Sequence, residues 1–180
     1  MKKQIAVDKL KKIKFIILDV DGVLTDGKII IGSDGTEYKN FNVRDGTGIT
    51  LGHYAGLKFA IISGRYSKVI SIRAKELGIK HVYQDVMEKI KAYENLKKKI
   101  KLKDTQICFI GDEIIDIPIM EKCGFAAVPY DCVDEIKKYA DYICRKKGGD
   151  GCVREIIELI IKAKGLWKKT FAKYLRRYEK

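Results

Sequence analysis

Two hydrophobic rhythms alternate along this chain. Short runs are apolar nearly throughout, and between them lie stretches whose apolar residues recur every third or fourth position. Ile13–Leu18, broken only by Lys14, reads as a strand buried on both faces. Lys58–Ile62, Thr105–Ile110 and Phe125–Val128 repeat the pattern, with shorter versions at His81–Tyr83 and Tyr142-Ile143. Helices are predicted over 45–56, Ser67–Leu77, Glu88–Ile100, Ile114–Lys122, Val133–Tyr139 and Val153–Ile161. Gly56 closes the first of them, and Gly78 and Gly124 stand just past two others, where helices stop. Lys28–Ile31 and Thr36–Phe41 flank Gly32-Ser33-Asp34-Gly35 and predict a β-hairpin. Strands alternating with helices predict an α/β fold, a Rossmann-like, mostly parallel sheet with flanking helices. No repeat or linker divides the chain, so one domain over 1–180 is expected, ending in a basic helical tail at about 165–180.

Composition narrows the class. With 46% hydrophobic residues and only 2 Pro in 180 residues, the chain can bury a core and is not a disordered or Pro-rich protein. No apolar run is long enough to span a bilayer, so stable membrane insertion is not expected. No apolar signal core follows the N-terminal lysines. The 5 Cys are odd in number and form no C-x-x-C pair, which fits reduced thiols in a cytoplasmic protein. The net charge of +13 divides unevenly: residues 1–14 carry +5, residues 162–180 carry +7, and the middle carries +1. A body this close to neutral argues against nucleic acid as the partner.

Ligands of parallel sheets bind at the carboxyl ends of strands. The first strand delivers Asp19-Val20-Asp21-Gly22 there. The strand at 58–62 delivers Ser63-Gly64-Arg65, and the strand at 105–110 delivers Gly111-Asp112, with Asp116 four residues on. Asp-Gly pairs also make ordinary turns, but three carboxylates converging on strand ends repel one another and suit a hard divalent cation. Ser63 reads either as a helix cap or as a phosphate ligand. Lys89, in isolation, reads as a solvated helix lysine.

These motifs together resemble the haloacid dehalogenase superfamily of phosphatases. More narrowly, the chain resembles the 3-deoxy-D-manno-octulosonate 8-phosphate phosphatases over roughly residues 12–163. The likeness is carried by the blocks Asp19-Val20-Asp21-Gly22-Val23-Leu24-Thr25-Asp26-Gly27 and Phe41-Asn42-Val43-Arg44-Asp45-Gly46, by Ile61-Ile62-Ser63-Gly64-Arg65, by Gly111-Asp112 through to Met120, and by Gly148-Gly149-Asp150-Gly151-Cys152-Val153-Arg154-Glu155. The resemblance implies a capless enzyme with a small hairpin, acting on a small anionic sugar phosphate. It implies Asp19 as nucleophile, Asp21 as acid and base, and Ser63 and Lys89 as phosphoryl ligands. Mg²⁺ would be held by the Asp19 side chain, the Asp21 carbonyl and Asp112, with Asp116 and Glu113 behind them. Asn42, Val43, Arg44, Asp45 and Gly46, with Arg65, Arg73 and Lys89, would bind substrate.

Three positions depart from the family pattern. Glu113 stands where many relatives have Asp, Thr50 where some have a basic residue, and Cys152 where Ala is usual. The resemblance also implies a homotetramer whose sites are closed by the hairpin and a neighbour's C-terminus. Trp167, Phe171, Tyr174 and Tyr178 are therefore expected to pack on a neighbouring subunit. Other readings of the same residues are a phosphatase for a nonulosonate 9-phosphate and a non-catalytic oligomeric scaffold.

Overall fold

The computed structural model describes residues 7–176. In chain order its elements are α1 (Val7–Lys12), β1 (Phe15–Leu18), β2 (Ile30–Ile31), β3 (Glu37–Tyr38), α2 (Val43–Tyr54), β4 (Lys58–Ile62), α3 (Lys68–Glu76) and β5 (His81–Tyr83). There follow α4 (Lys89–Ile100), β6 (Ile107–Ile110), α5 (Ile117–Met120), β7 (Phe125–Val128), β8 (Tyr142–Ile143), α6 (Cys152–Ala163) and α7 (Trp167–Leu175). Six strands form one parallel sheet in the order β5-β4-β1-β6-β7-β8, and β2 and β3 pair antiparallel as a separate hairpin.

The run that reads as a doubly buried strand is one. Alternate residues of β1 face opposite cores. Ile16 and Leu18 join Phe59, Ile61, Cys108 and Ile110 under α1, α2, α3 and α6, while Phe15 and Ile17 join Ala60, Ile62 and Phe109 under α4 and α5. Leu18 stands beside Ile61 on β4 and Ile110 on β6, so these three strands end at one level. The chain steps outward from β1 through β4 to β5, then returns to β6 and steps the other way. The resulting switch point beside β1 is where an open sheet leaves a crevice.

Several predicted elements change shape. The stretch 114–122 is a 3₁₀ turn at Ile114–Asp116 followed by the short α5. Pro118 sits in the first turn of α5, and the Asp116 carboxylate accepts from the Asp112 and Glu113 N–H groups, which tightens the entry. Asp134–Tyr139 is 3₁₀ rather than α-helical. The hairpin is reduced to two residues per strand. Helix α1 lies in a segment with no predicted element, anchored by buried Leu10.

The C-terminal segment makes contacts within its own chain. Helix α7 folds back on its own chain, with Trp167 and Tyr174 packed against the core, Thr170 buried and the Tyr174 ring edge-on to Tyr54 of α2. Phe171, 47% exposed, stacks on Trp167 and is the member of that aromatic set left outward. Tyr178 lies outside the described residues. Among the described residues, no helix is long and apolar enough to cross a membrane.

Candidate active site

A cavity of about 310 Å³ opens at the shared end of β1, β4 and β6. Asp19, Asp21, Ser63, Arg65, Lys89, Asp112 and Glu113 all line it. Seven positions spread over nearly a hundred residues of chain thus meet at one mouth, because the three strands end in register.

Asp19 is the first residue after β1. Its Oδ1 accepts from the Val20 N–H at 2.7 Å and its Oδ2 from Lys89 Nζ at 2.6 Å. Lys89 opens α4 and is 3% exposed, which removes the solvated-lysine reading. Its ammonium also reaches Asp116 Oδ1 at 2.7 Å. Burial pulls the Lys89 pKa down, but the two carboxylates outweigh it and hold it above the ordinary lysine value. Lys89→Met therefore leaves two buried carboxylates facing each other without a cation. We expect it to destabilise the fold by about 3–5 kcal/mol at neutral pH, read from denaturant midpoints of metal-free protein. An unchanged midpoint would mean that the pair contributes nothing to stability.

Burial, and then the Asp116 charge, push Asp19 up to about 7 against the pull of Lys89. Burial, followed by Asp19 and Asp116, lifts Asp112 to about 8. Three carboxylates share one ammonium, and when all are ionised the cluster carries two uncompensated negative charges. Carboxylate oxygens of Asp19, Asp112 and Asp116 lie within 4.8 Å of one another.

Asp116 is already satisfied, since Lys89 holds one oxygen and two backbone N–H groups hold the other. Asp112 is not: its Oδ1 is buried with no hydrogen-bond partner. An orphaned carboxylate oxygen beside Asp19 fits a divalent cation and is otherwise costly. Gly22, at φ +80°, keeps this space open, because a Cβ there would collide with Asp112 Oδ2. Gly148 presses against the Gly22 carbonyl from outside, leaving no room for a side chain and backing the loop that carries Asp21.

Ser63 does not cap α3. Its hydroxyl hydrogen-bonds within its own loop, donating to the Arg65 carbonyl at 3.1 Å and accepting from the Arg65 N–H at 3.3 Å. Glu113 lines the mouth and turns back to accept from the Ile114 N–H at 2.7 Å. Thr50 donates to the Gly46 carbonyl within α2, and Cys152 donates to the Val23 carbonyl, so these two departures stay out of the pocket.

The block 42–46 and Arg73 are placed elsewhere. Asn42 caps α2 through the Arg44 N–H, and its amide donates to the Gly149 carbonyl. Asp45 is buried and accepts from the Gly151 and Arg154 N–H groups; burial lifts it to about 6. These two polar groups thus join α2 to the 148–154 loop. Val43 is 80% exposed, and Arg44 lines a second cavity with Arg145 and Arg154. Arg73 lies over the Phe41 ring, pairs with Glu76, and fills the space that Gly46 leaves by lacking a side chain. Within one chain none of these six lines the Asp19 pocket. Lys39, which no sequence pattern marks, does reach the site: its Nζ is 2.5 Å from Asp21 Oδ1.

Comparison with known proteins agrees with this geometry. A sequence model of haloacid dehalogenase-like hydrolases matches residues 58–156. The 3-deoxy-D-manno-octulosonate 8-phosphate phosphatase KdsC of Escherichia coli (strain K12) is 41% identical over 159 residues, covering 88% of this chain and 85% of that protein. The chain belongs to the haloacid dehalogenase-like hydrolases, in the branch of these sugar-acid phosphatases. A crystal structure of the Moraxella catarrhalis phosphatase of that name, in complex with magnesium ion, phosphate ion and KDO, superposes with a TM-score of 0.91 at 39% identity. It covers 93% of this chain and 97% of that one. A hydrolase of the same superfamily from Legionella pneumophila gives a TM-score of 0.92 at 38% identity, covering 94% and 93%. The chain is thus an α/β phosphatase of haloacid dehalogenase type, and its acidic cluster has the donor set for a divalent metal.

Proposed function

We propose that this protein hydrolyses 3-deoxy-D-manno-octulosonate 8-phosphate to the free sugar acid and phosphate, a step in lipopolysaccharide precursor synthesis. The observation that carries this reading is the Asp19–Lys89–Asp112 cluster at the ends of β1 and β6, with its unpartnered Asp112 oxygen. Identity of 41% to KdsC supports the substrate.

The chemistry follows from the positions. Asp19 attacks phosphorus, an Asp19–O–P bond forms, and the bond from phosphorus to the sugar oxygen breaks. Asp21 gives its proton to that leaving oxygen. In the second half, water loses a proton to Asp21 and attacks phosphorus, releasing phosphate from Asp19. Ser63 and Lys89 hold the equatorial oxygens, and Asp116 holds Lys89. The Asp19 side chain, the Asp21 carbonyl and Asp112 would hold Mg²⁺, which neutralises charge on the transferring group and lets a carboxylate approach it. Arg65, at the mouth, suits the substrate carboxylate through its planar fork of donors.

In this reading the enzyme is cytoplasmic, acts as one domain over residues 1–180, and works as a homotetramer. Support for the assembly comes from Ile29, Ile31, Tyr38 and Val43, large apolar side chains exposed on and beside the hairpin. Val43 and Arg44 would meet substrate only across such a subunit boundary. The test is phosphate release from a panel of the octulosonate 8-phosphate, a nonulosonate 9-phosphate and hexose phosphates, with Mg²⁺ or chelator. We expect kcat/KM on the octulosonate to exceed the hexose phosphates by roughly 10²-fold or more. A preference for the nonulosonate would move the substrate while keeping the mechanism. Inactivity on all of them would favour the scaffold.

A further inference from the structure

Lys39 lies just past β3, on a hairpin whose neighbouring side chains are largely exposed. Its own side chain is fully buried. A lysine loses favourable hydration on burial, so such a position persists only where its charge is matched. Two carboxylates match it. Nζ lies 2.5 Å from Asp21 Oδ1 and 3.4 Å from a Glu37 oxygen, and Glu37 stands 3.5 Å from the Arg65 guanidinium. The hairpin is thereby tied by ion pairs to the loop after β1 and to the loop after β4. Thr25 Oγ1 also donates to Asp21 Oδ1, at 3.5 Å. Among the described residues, every hydrogen bond to the Asp21 carboxylate falls on Oδ1. Asp21 itself lines the pocket, and among the described residues no hydrogen bond falls on its Oδ2.

We propose that Lys39 is a positioning residue for proton transfer: by holding Oδ1 it orients the Asp21 carboxyl so that Oδ2 serves the leaving oxygen. This rests on the assignment of Asp21 as the acid made above. An aspartate on an open loop turns about two torsions, and a proton donor must stay within hydrogen-bond reach of its target. A shift of about 1 Å in such a group can lower turnover by ~10²-fold.

The decisive measurement compares leaving groups. A sugar alkoxide needs a proton to depart, whereas the phenolate of 2,4-dinitrophenyl phosphate does not. For Lys39→Met we expect kcat on the preferred sugar phosphate to fall roughly 10- to 100-fold with KM within about twofold. The second half-reaction, in which Asp21 takes the proton of water, is common to both esters, so the dinitrophenyl ester is read by its pre-steady-state release of dinitrophenolate, which should stay within about twofold of the parent. Lys39→Gln, which still offers a donor, should recover part of the loss and carries the comparison if the Met variant does not fold. Equal losses in the first half-reaction of both esters would mean that Lys39 only supports the hairpin. A raised KM with kcat intact would make it a substrate ligand. Either outcome overturns the proposal. Asp21→Asn, assayed in parallel, separates the two levels. If it keeps sugar-phosphate turnover, the acid assignment itself fails. If it slows release of the sugar but not of dinitrophenolate in the first half-reaction while Lys39→Met slows neither, the inference about Lys39 alone fails.

Discussion

Asp19→Asn is expected to lower phosphatase turnover by roughly 10⁴-fold or more while leaving the protein folded. The amide keeps the size of the side chain and an oxygen to accept from Val20 N–H or Lys89, so the local geometry has no reason to collapse. It cannot act as the carboxylate nucleophile. Its effect on stability should have the opposite sign to its effect on activity. Burial and Asp116 raise Asp19 from 3.8 to about 7, so the folded state binds this proton more tightly than the unfolded state. Such a group contributes its full stability when protonated, below its unfolded value, and the contribution is lost as pH rises through the folded value. At pH 8, without metal, the charged carboxylate is a burden that Asn lacks. The variant should then melt no lower than the parent, as read by calorimetry in chelator. A variant that lost activity because it unfolded would melt lower, and a variant that kept turnover would remove Asp19 from the chemistry. A scaffold would show no catalysed turnover to lose.

The parts of the site legible in the sequence are those that strand ends dictate. A doubly buried run has to stop where polar residues begin. Asp19, Ser63 and Asp112 were therefore placed at one edge of the sheet by pattern alone. Parallel pairing in register, Leu18 against both Ile61 and Ile110, then brings them together. Lys89 was legible only through resemblance, because one lysine in a lysine-rich helix carries no local signal, and its burial follows from where α4 begins. Lys39 left no trace, since an ion pair between residues 21 and 39 has no periodicity. Asn42 and Asp45 show the converse. Their block is distinctive in sequence, yet in the fold their polar groups cap α2 and tie it to the 148–154 loop. The segment after Gly165 holds the helix α7, with Trp167, Phe171 and Tyr174 at helical spacing. Pattern does not say which surface such a helix covers, and here it is α2 of the same chain.

Removing divalent metal is expected to abolish activity, and restoring it should stabilise the protein more at pH 8 than at pH 6. The two effects share a cause. Without metal, Asp19 and Asp112 are held at about 7 and about 8, chiefly by burial and then by the neighbouring carboxylates. At pH 6 both are largely protonated, and a cation must displace those protons to bind. Each proton displaced weakens binding by about 1.4 kcal/mol for every pH unit below the group's pKa. At pH 8 Asp19 is mostly ionised and Asp112 about half so. The cation then meets negative charge that the fold otherwise tolerates at a cost, and binding to the folded state alone raises the melting temperature. Melting curves in Mg²⁺ and in chelator, at both pH values, give the comparison directly. The shift should grow with pH and vanish in Asp112→Ala, which removes the oxygen that has no other partner. A shift of equal size at both pH values, surviving in Asp112→Ala, would place the bound cation somewhere other than this cluster. A shift that grows with pH but survives in Asp112→Ala would keep Asp19 at the metal and assign the second carboxylate to Asp116, at the expense of its bonds to Lys89 and to the backbone of the 112–113 turn.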